Sequence, residues 1–163
     1  MANVINVVGE CSNVGKTTLI VGIIKELKSR GFSVGTIKHH SHKLDLDKKG
    51  KDTYKHREAG AEEICITSEG RTAIFIEREL DLEEVISLFE HKDFIIVEGY
   101  KNSNLKKIEV YNSKLSTKII TKKENLICVA SDIELNIDNI KVIDRNDYKK
   151  LADIIIAFKE GVV

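Results

Sequence analysis

The chain has no proline and no tryptophan, and only three cysteines. Without proline there are no Pro-rich linkers to join separate domains. Cys11, Cys65 and Cys128 stand singly with no Cys-x-x-Cys pair. That fits neither a disulfide framework nor a thiolate zinc site, so all three are expected to be reduced. Cys65 and Cys128 sit inside apolar strand-like runs and are expected to be inert. Charge of one sign is lacking as well: 26 Lys+Arg balance 26 Asp+Glu. No global field therefore holds nucleic acid or an anionic membrane, and any anion must be met locally. No apolar run approaches the roughly 18 residues that span a bilayer. The first such run, Val4 to Val8, is cut by Gly9 and Glu10, too early for a signal-peptide core. The expectation is a soluble, cytoplasmic protein with neither nucleic acid nor membrane as partner. With 163 residues, 42% of them hydrophobic, and no repeat or composition shift, positions 1–163 read as one domain.

Hydrophobic spacing then orders the elements. Val4, Ile5, Val7 and Val8 read as a buried strand; Leu19, Ile20, Ile23, Ile24 and Leu27 fall on one helix face that should stop at Gly31. Phe32 to Ile37 reads as a second strand, and a short helix is expected near Asp52 to Ala59. Ile64 to Thr67 and Ala73 to Ile76 flank a Gly70 turn and read as paired strands. Asp81 with Glu84 forms a capping box ahead of Leu82, Val85, Ile86 and Phe89. Phe94 to Val97, Lys107 to Tyr111 and Leu126 to Ala130 are strand candidates, and a last helix carries Leu151, Ile154, Ile155 and Phe158. Strands alternating with helices imply an α/β fold: a mainly parallel sheet with helices on both faces, in three α/β/α layers, with some antiparallel pairing near 64–76. Ligands should bind beyond the carboxyl ends of the strands.

Between the first strand and first helix lies Ser12-Asn13-Val14-Gly15-Lys16-Thr17-Thr18, whose Gly-Lys-Thr matches the end of the phosphate-loop pattern G-x-x-x-x-G-K-[ST]. Such a loop aims backbone N–H groups and a helix N-terminus at phosphates. Lys16 would reach the β/γ oxygens, and the Thr17 hydroxyl would take a Mg²⁺ position. The pattern's first glycine falls on Glu10, with Gly9 one residue early. Either the loop starts at Gly9 and is one residue longer, or Glu10 takes the glycine position and points away from phosphate. Carboxylates for Mg²⁺ are offered by Glu98, directly after Phe94 to Val97, and by Asp45, Asp47 and Asp52 in the loop that begins at Lys38. His39, His40 and His42 are a candidate zinc or nickel set, although imidazoles also serve phosphates and partner proteins. Thr121-Lys122-Lys123-Glu124 reads as a solvated turn, which makes Asp132 the better candidate acceptor for guanine N1–H and N2–H₂; an N-cap or turn role is the alternative.

The stretches SNVGKTTL, TIKHHSHKLDLDKKGKDTYKHREAGAEE, DFIIVEGYKNSNLKKIEVY and ICVASD, in that order, resemble the molybdopterin-guanine dinucleotide biosynthesis protein B (MobB) family. The resemblance implies a P-loop NTPase fold and a GTP-binding accessory protein; the loop motif makes binding Mg²⁺-dependent, and with no obvious fast catalytic base hydrolysis is expected to be slow. The resemblance further implies a homodimer that assists the guanylyltransferase attaching GMP to molybdopterin, with molybdopterin itself a further candidate ligand. By that resemblance Lys38, His39, His40 and His42, with Asp45, Asp47, Gly50, Lys51 and Asp52, form a signature loop facing substrate or partner, and Glu98 is the acidic residue on the Mg²⁺ side. Lys16, Lys38 and Asp45 are then the candidate catalytic residues. Glu10 and Lys49, where many members carry proline, depart from the pattern. Two other classes compete: a small-molecule phosphotransferase or ligase resembling dethiobiotin synthetase, in which Lys38 steers the acceptor, and a metal-delivery GTPase using the histidines.

Overall fold

The computed structural model describes residues 2–40, 46–159 and 161. In chain order the elements are β1 (Asn3–Val8), α1 (Lys16–Ser29), β2 (Val34–Lys38), α2 (Asp52–Glu58), β3 (Glu63–Ser68), β4 (Arg71–Ile76), α3 (Leu82–Ser87), β5 (Phe94–Glu98), β6 (Lys107–Tyr111), β7 (Leu126–Ser131), β8 (Lys141–Asp144) and α4 (Tyr148–Lys159). They fall into two compact units, Met1–His39 with Ile86–Val163, and His40–Val85.

The first unit is a six-stranded sheet in the order β2-β5-β1-β6-β7-β8. Every pairing in it is parallel. A parallel strand buried on both faces carries an almost unbroken apolar run, and Phe94-Ile95-Ile96-Val97 is wholly buried. Ile5, Val7, Phe94, Ile96, Ile108, Val110, Cys128 and Ala130 turn to one face, where they join Leu19, Ile23 and Leu27 of α1 and Leu151 and Ile155 of α4 in a single core. The other face is partly polar: Asn6, Lys107 and Glu109 are buried there. Because all strands run the same way, their carboxyl ends lie along one edge. The residues that follow them are Gly9, His39, Gly99, Asn112, Asp132 and Arg145.

Local chemistry explains the element ends. Gly31 takes φ 87°, and the Gly31 and Phe32 amides donate to the Lys28 and Leu27 carbonyls, a Schellman stop for α1. Strand β2 starts at Val34, two residues later than the apolar pattern suggests. Ser33 is tied to the Asp93 carboxylate through its amide and hydroxyl, and Phe32 sets its ring edge-on to Phe94 at 5.1 Å. Strand β8 is an addition to the elements read from sequence; its four residues, with charged ends, show too little periodicity to stand out.

In the second unit β3 and β4 pair antiparallel through a tight turn in which Gly70 has φ 81°. The capping box forms as expected: the Glu84 amide donates to Asp81 Oδ1 at 2.8 Å and the Asp81 amide to Glu84 Oε2 at 2.9 Å. Cys65 corrects the sequence reading, being exposed, because only Ile64 of β3 is buried. Cys128 is buried, and burial pushes its thiol up to about 12.

Helices α1 and α4 meet where Gly22 faces Tyr148; a Cβ on Gly22 would stand 2.3 Å from the ring. Gly22→Ala gains about 1 kcal/mol of helix propensity, but overpacking a filled contact costs about 1–3 kcal/mol. Urea titration should therefore show a lower midpoint with an unchanged slope.

Candidate functional site

Chain geometry between β1 and α1 shapes a loop rather than a continuous turn. A Cβ on Gly9 would stand 2.6 Å from Val14 Cγ2 and 3.1 Å from the Val110 carbonyl, so glycine is needed for the loop to close over the sheet. Val14 is fully buried beneath it and offers a ligand only its backbone. Asn13 (φ 62°) and Gly15 (φ 108°) are both left-handed. Helix α1 then begins at Lys16 with no side-chain cap and no acidic residue in its first turn. Its leading N–H groups and the positive end of its dipole are thereby left for an anion.

The Glu10 question is resolved by its side chain. The carboxylate turns away from the loop mouth and accepts from the Thr117 amide (2.5 Å), the Thr117 hydroxyl (2.7 Å) and the Lys118 amide (3.3 Å). These bonds, led by the Thr117 amide, hold its carboxyl below the usual range. Lys101 Nζ donates to the Glu10 carbonyl at 2.8 Å and fastens the same residue from the other side.

One cavity of about 490 Å³ gathers Ser12, Asn13, Gly15, Lys16, Thr17, Thr18, Lys38 and Glu98. Lys16 Nζ donates to the Cys11 carbonyl at 3.0 Å. Burial pulls the Lys16 ammonium down from its ordinary pKa, and Glu98 opposes that shift. The Thr17 hydroxyl donates to the Glu98 carboxylate at 3.3 and 3.4 Å, and Lys38 Nζ lies 3.6 Å from the same group. Hydroxyl and carboxylate oxygens are the donors a small hard cation takes, so Thr17 and Glu98 fit Mg²⁺.

Other expected residues are distributed differently. His39 tilts its ring over Tyr100 at 4.5 Å, and its amide donates to the Glu98 carbonyl. His40, Asp47, Lys51 and Asp52 belong to the second unit, where Asp47 Oδ1 accepts from the Thr53 hydroxyl at 2.8 Å. His42 and Asp45 lie outside the described residues. Among the described residues no three His, Cys, Asp or Glu side chains gather as a metal site. Asp132 is held by hydrogen bonds at the surface: it accepts from the Ser113 amide (2.8 Å) and hydroxyl (3.1 Å) and stands 3.9 Å from the Arg145 guanidinium. Burial raises the Asp132 carboxyl, but the Ser113 bonds outweigh it and the net shift is downward.

Sequence reasoning missed Arg145, Asn112 and Tyr148, which line a second cavity with Asn13, Gly15 and Thr18. The available signal was Asp147, which accepts from the Lys150 amide as the cap of α4 and so marks where a preceding strand must end.

A parallel sheet with a glycine-bounded loop feeding an uncapped helix defines a P-loop NTPase-like α/β protein. The family model described as "MobB: Molybdopterin guanine dinucleotide synthesis protein B" matches residues 4–132, and the chain belongs to that family. It is 36% identical over 157 residues to the molybdopterin-guanine dinucleotide biosynthesis adapter protein of Escherichia coli, covering 91% of this chain and 89% of the relative. The Haemophilus influenzae protein of the same description is 32% identical over 148 residues, covering 88% and 83%. The solved Bacillus subtilis MobB superposes with a TM-score of 0.71 over 95% of this chain and 96% of that one, at 21% identity, a likeness of fold.

Glu10 generates a pH prediction. Its folded pKa is depressed, so its contribution is present above the unfolded value of 4.5 and is lost as pH falls through the lower folded value. Glu10→Ala should melt below wild type at neutral pH, and the gap should close in acid. A gap independent of pH would assign the loss to packing instead.

Proposed function

We propose that this protein binds GTP with Mg²⁺ across the Ser12–Thr18 loop, hydrolyses it slowly, and acts as an adapter in molybdopterin-guanine dinucleotide biosynthesis by engaging the guanylyltransferase. The observation carrying the nucleotide reading is the uncapped start of α1, with Lys16 beside it and Thr17 paired to Glu98. The adapter role is supported by family membership and by what the E. coli and H. influenzae relatives are called.

In this reading the loop amides and Lys16 bind the β/γ phosphates, Thr18 continues the line of donors, and Thr17 and Glu98 would hold Mg²⁺. Bound there, Mg²⁺ would neutralise charge between the phosphate oxygens. Slow turnover follows from Glu98 being engaged by both Thr17 and Lys38, which leaves it poorly disposed to take a proton from water. Lys16→Ala should weaken Mg²⁺-GTP binding by about 2 kcal/mol or more, the scale of a charge-assisted bond lost from a partly desolvated site. Calorimetry giving the wild-type affinity in that variant would remove the phosphate-loop assignment. Glu98→Gln should blunt the Mg²⁺ dependence of turnover while leaving the melting temperature nearly unchanged; an identical Mg²⁺ response would move the metal role to other residues.

Homodimerisation belongs to the same proposal. Ile66 and Ile74 of the two-stranded β3–β4 sheet are 50% and 64% exposed. They stand on opposite faces, Ile66 beside Ala73 and Ile74 beside Cys65; a two-stranded sheet with bare apolar side chains is marginal in water, and a second copy laid on the Ile74 face is the simplest cover. Sedimentation should give a dimer for the wild type and a shift toward monomer for Ile74→Glu; a monomeric wild type would refute it.

A further inference from the structure

Beyond the phosphates, the second cavity carries information about which base is chosen. It holds about 210 Å³ and shares Asn13, Gly15 and Thr18 with the phosphate cavity. An engineered cavity of ~150 Å³ takes a benzene ring, so this one has room for a fused heterocycle but not for a whole nucleotide. A chain of atoms leaving the Lys16–Glu98 side across Gly15 and Thr18 arrives at Arg145, Asn112 and Asn146, with the Tyr148 ring as a flat wall.

These groups are built into place. The Arg145 amide donates to the Ser131 carbonyl at 2.9 Å, and its Nη2 faces Asp132 at 3.9 Å. Its Nη1 lies 3.9 Å from where a Gly15 Cβ would stand, hence against the loop itself. Asp132 is in turn fixed by Ser113, so the carboxylate braces the guanidinium. Asn112 Oδ1 accepts from the Lys114 amide at 3.1 Å, which makes Nδ2 the end of that carboxamide with hydrogens to give. Tyr148 is packed on Gly22 of α1 and cannot turn freely.

The Arg145 guanidinium and Asn112 Nδ2 are donors this cavity can turn to a base. Guanine presents acceptors at both O6 and N7, whereas adenine places an N6 amino donor where guanine has O6. Arginine pairs bidentately with O6 and N7, and Asp132 beside Nη2 restricts the freedom of the Arg145 fork that would do so. We infer that Arg145, with Asn112, reads the O6/N7 edge of a 6-oxopurine nucleotide, and that Asp132 positions Arg145 instead of reading N1–H and N2–H₂. This rests on the nucleotide reading above and adds to it a recognition residue and a chemical rule: the 6-oxo group matters and the 2-amino group does not.

Four triphosphates separate the possibilities when titrated by calorimetry with Mg²⁺: GTP, ITP, ATP and 2-amino-ATP. Inosine keeps O6 and N7 but lacks the 2-amino group; 2-amino-ATP has the 2-amino group but carries N6. GTP and ITP should bind alike, with ATP and 2-amino-ATP each weaker by about tenfold or more, the scale of one bidentate base contact. Arg145→Gln should weaken GTP and ITP by about tenfold, leave ATP nearly unchanged, and melt close to wild type. ITP bound tenfold more weakly than GTP, or 2-amino-ATP bound as tightly as GTP, would overturn the rule and return the role to Asp132. Arg145→Gln affinities unchanged, or lowered equally for all four, would overturn the assignment of Arg145. If the wild type binds no triphosphate, or if Lys16→Ala binds as well as wild type, the phosphate-loop reading itself fails. Lys16-dependent binding with equal affinity for GTP and ATP would sink only the base rule.

Discussion

The structure turns on how the innermost strand hands over to its helix. Strand β1 lies between β5 and β6 with Ile5, Val7 and Val8 buried. Helix α1 must return across the sheet to bury Leu19, Ile23 and Leu27. The connection starts under a glycine that Val14 crowds, and its last residue before the helix is left-handed. No side chain closes the helix start, and such a cap is typically worth about 0.5–2 kcal/mol. Lys16 is also held partly out of water, which disfavours its charge. Both costs sit at one place, the start of α1.

Keeping such a loop open requires support from elsewhere, and the polar side of the sheet supplies it. Asn6 Nδ2 donates to the Tyr100 carbonyl and the Ser103 hydroxyl at 3.2 Å. Lys107 Nζ donates to the Ser103 and Leu105 carbonyls. Glu109 accepts from the Ile120 and Thr121 amides at 2.9 and 2.8 Å. Two connecting segments, 99–106 and 112–121, are thus bolted to strand side chains, and from them Lys101 and Thr117 reach Glu10. The arrangement has a cost: Asn6 Oδ1 and Thr121 Oγ1 are buried without a hydrogen-bond partner among the described residues, each worth roughly 1–3 kcal/mol. Rigid apolar packing on one face and polar fastening on the other frame the carboxyl edge of the sheet.

Much of this was legible in sequence because it rests on local rules. Apolar runs of strand length gave β1, β5 and β7, the Asp81–Glu84 spacing gave the capping box, and Gly-Lys-Thr after a strand gave the loop. Residues whose role is set by distant partners were not legible. A polar residue inside a strand pattern reads as facing water, yet Asn6, Lys107 and Glu109 are buried because loops from elsewhere in the chain come to meet them. Cys65 fails in the opposite direction, lying in an apolar run yet exposed, because only Ile64 of β3 is buried. Glu10 looked like a defect in the phosphate-loop pattern; its partners, Thr117 and Lys118, lie over a hundred residues away.

A chain of zero formal charge can still carry strong local polarity, as the carboxyl edge of the sheet does. Charges farther apart than about 8 Å are largely screened at physiological salt, so only the nearest groups decide what an incoming ligand feels. There Glu10 is turned onto Thr117 and Lys118, Asp132 onto Ser113 and Arg145, and Glu98 onto Thr17 and Lys38. Each carboxylate already has its donors, and each serves to fix a neighbour. The opposite holds for the donors of the loop: the first amides of α1 have no side-chain cap, and the hydrogen bond of Lys16 Nζ among the described residues goes to the neutral Cys11 carbonyl. The local polarity of this edge thus comes from an imbalance of satisfied and unsatisfied hydrogen-bonding groups, independent of net charge, with the carboxylates fixing the residues beside the loop.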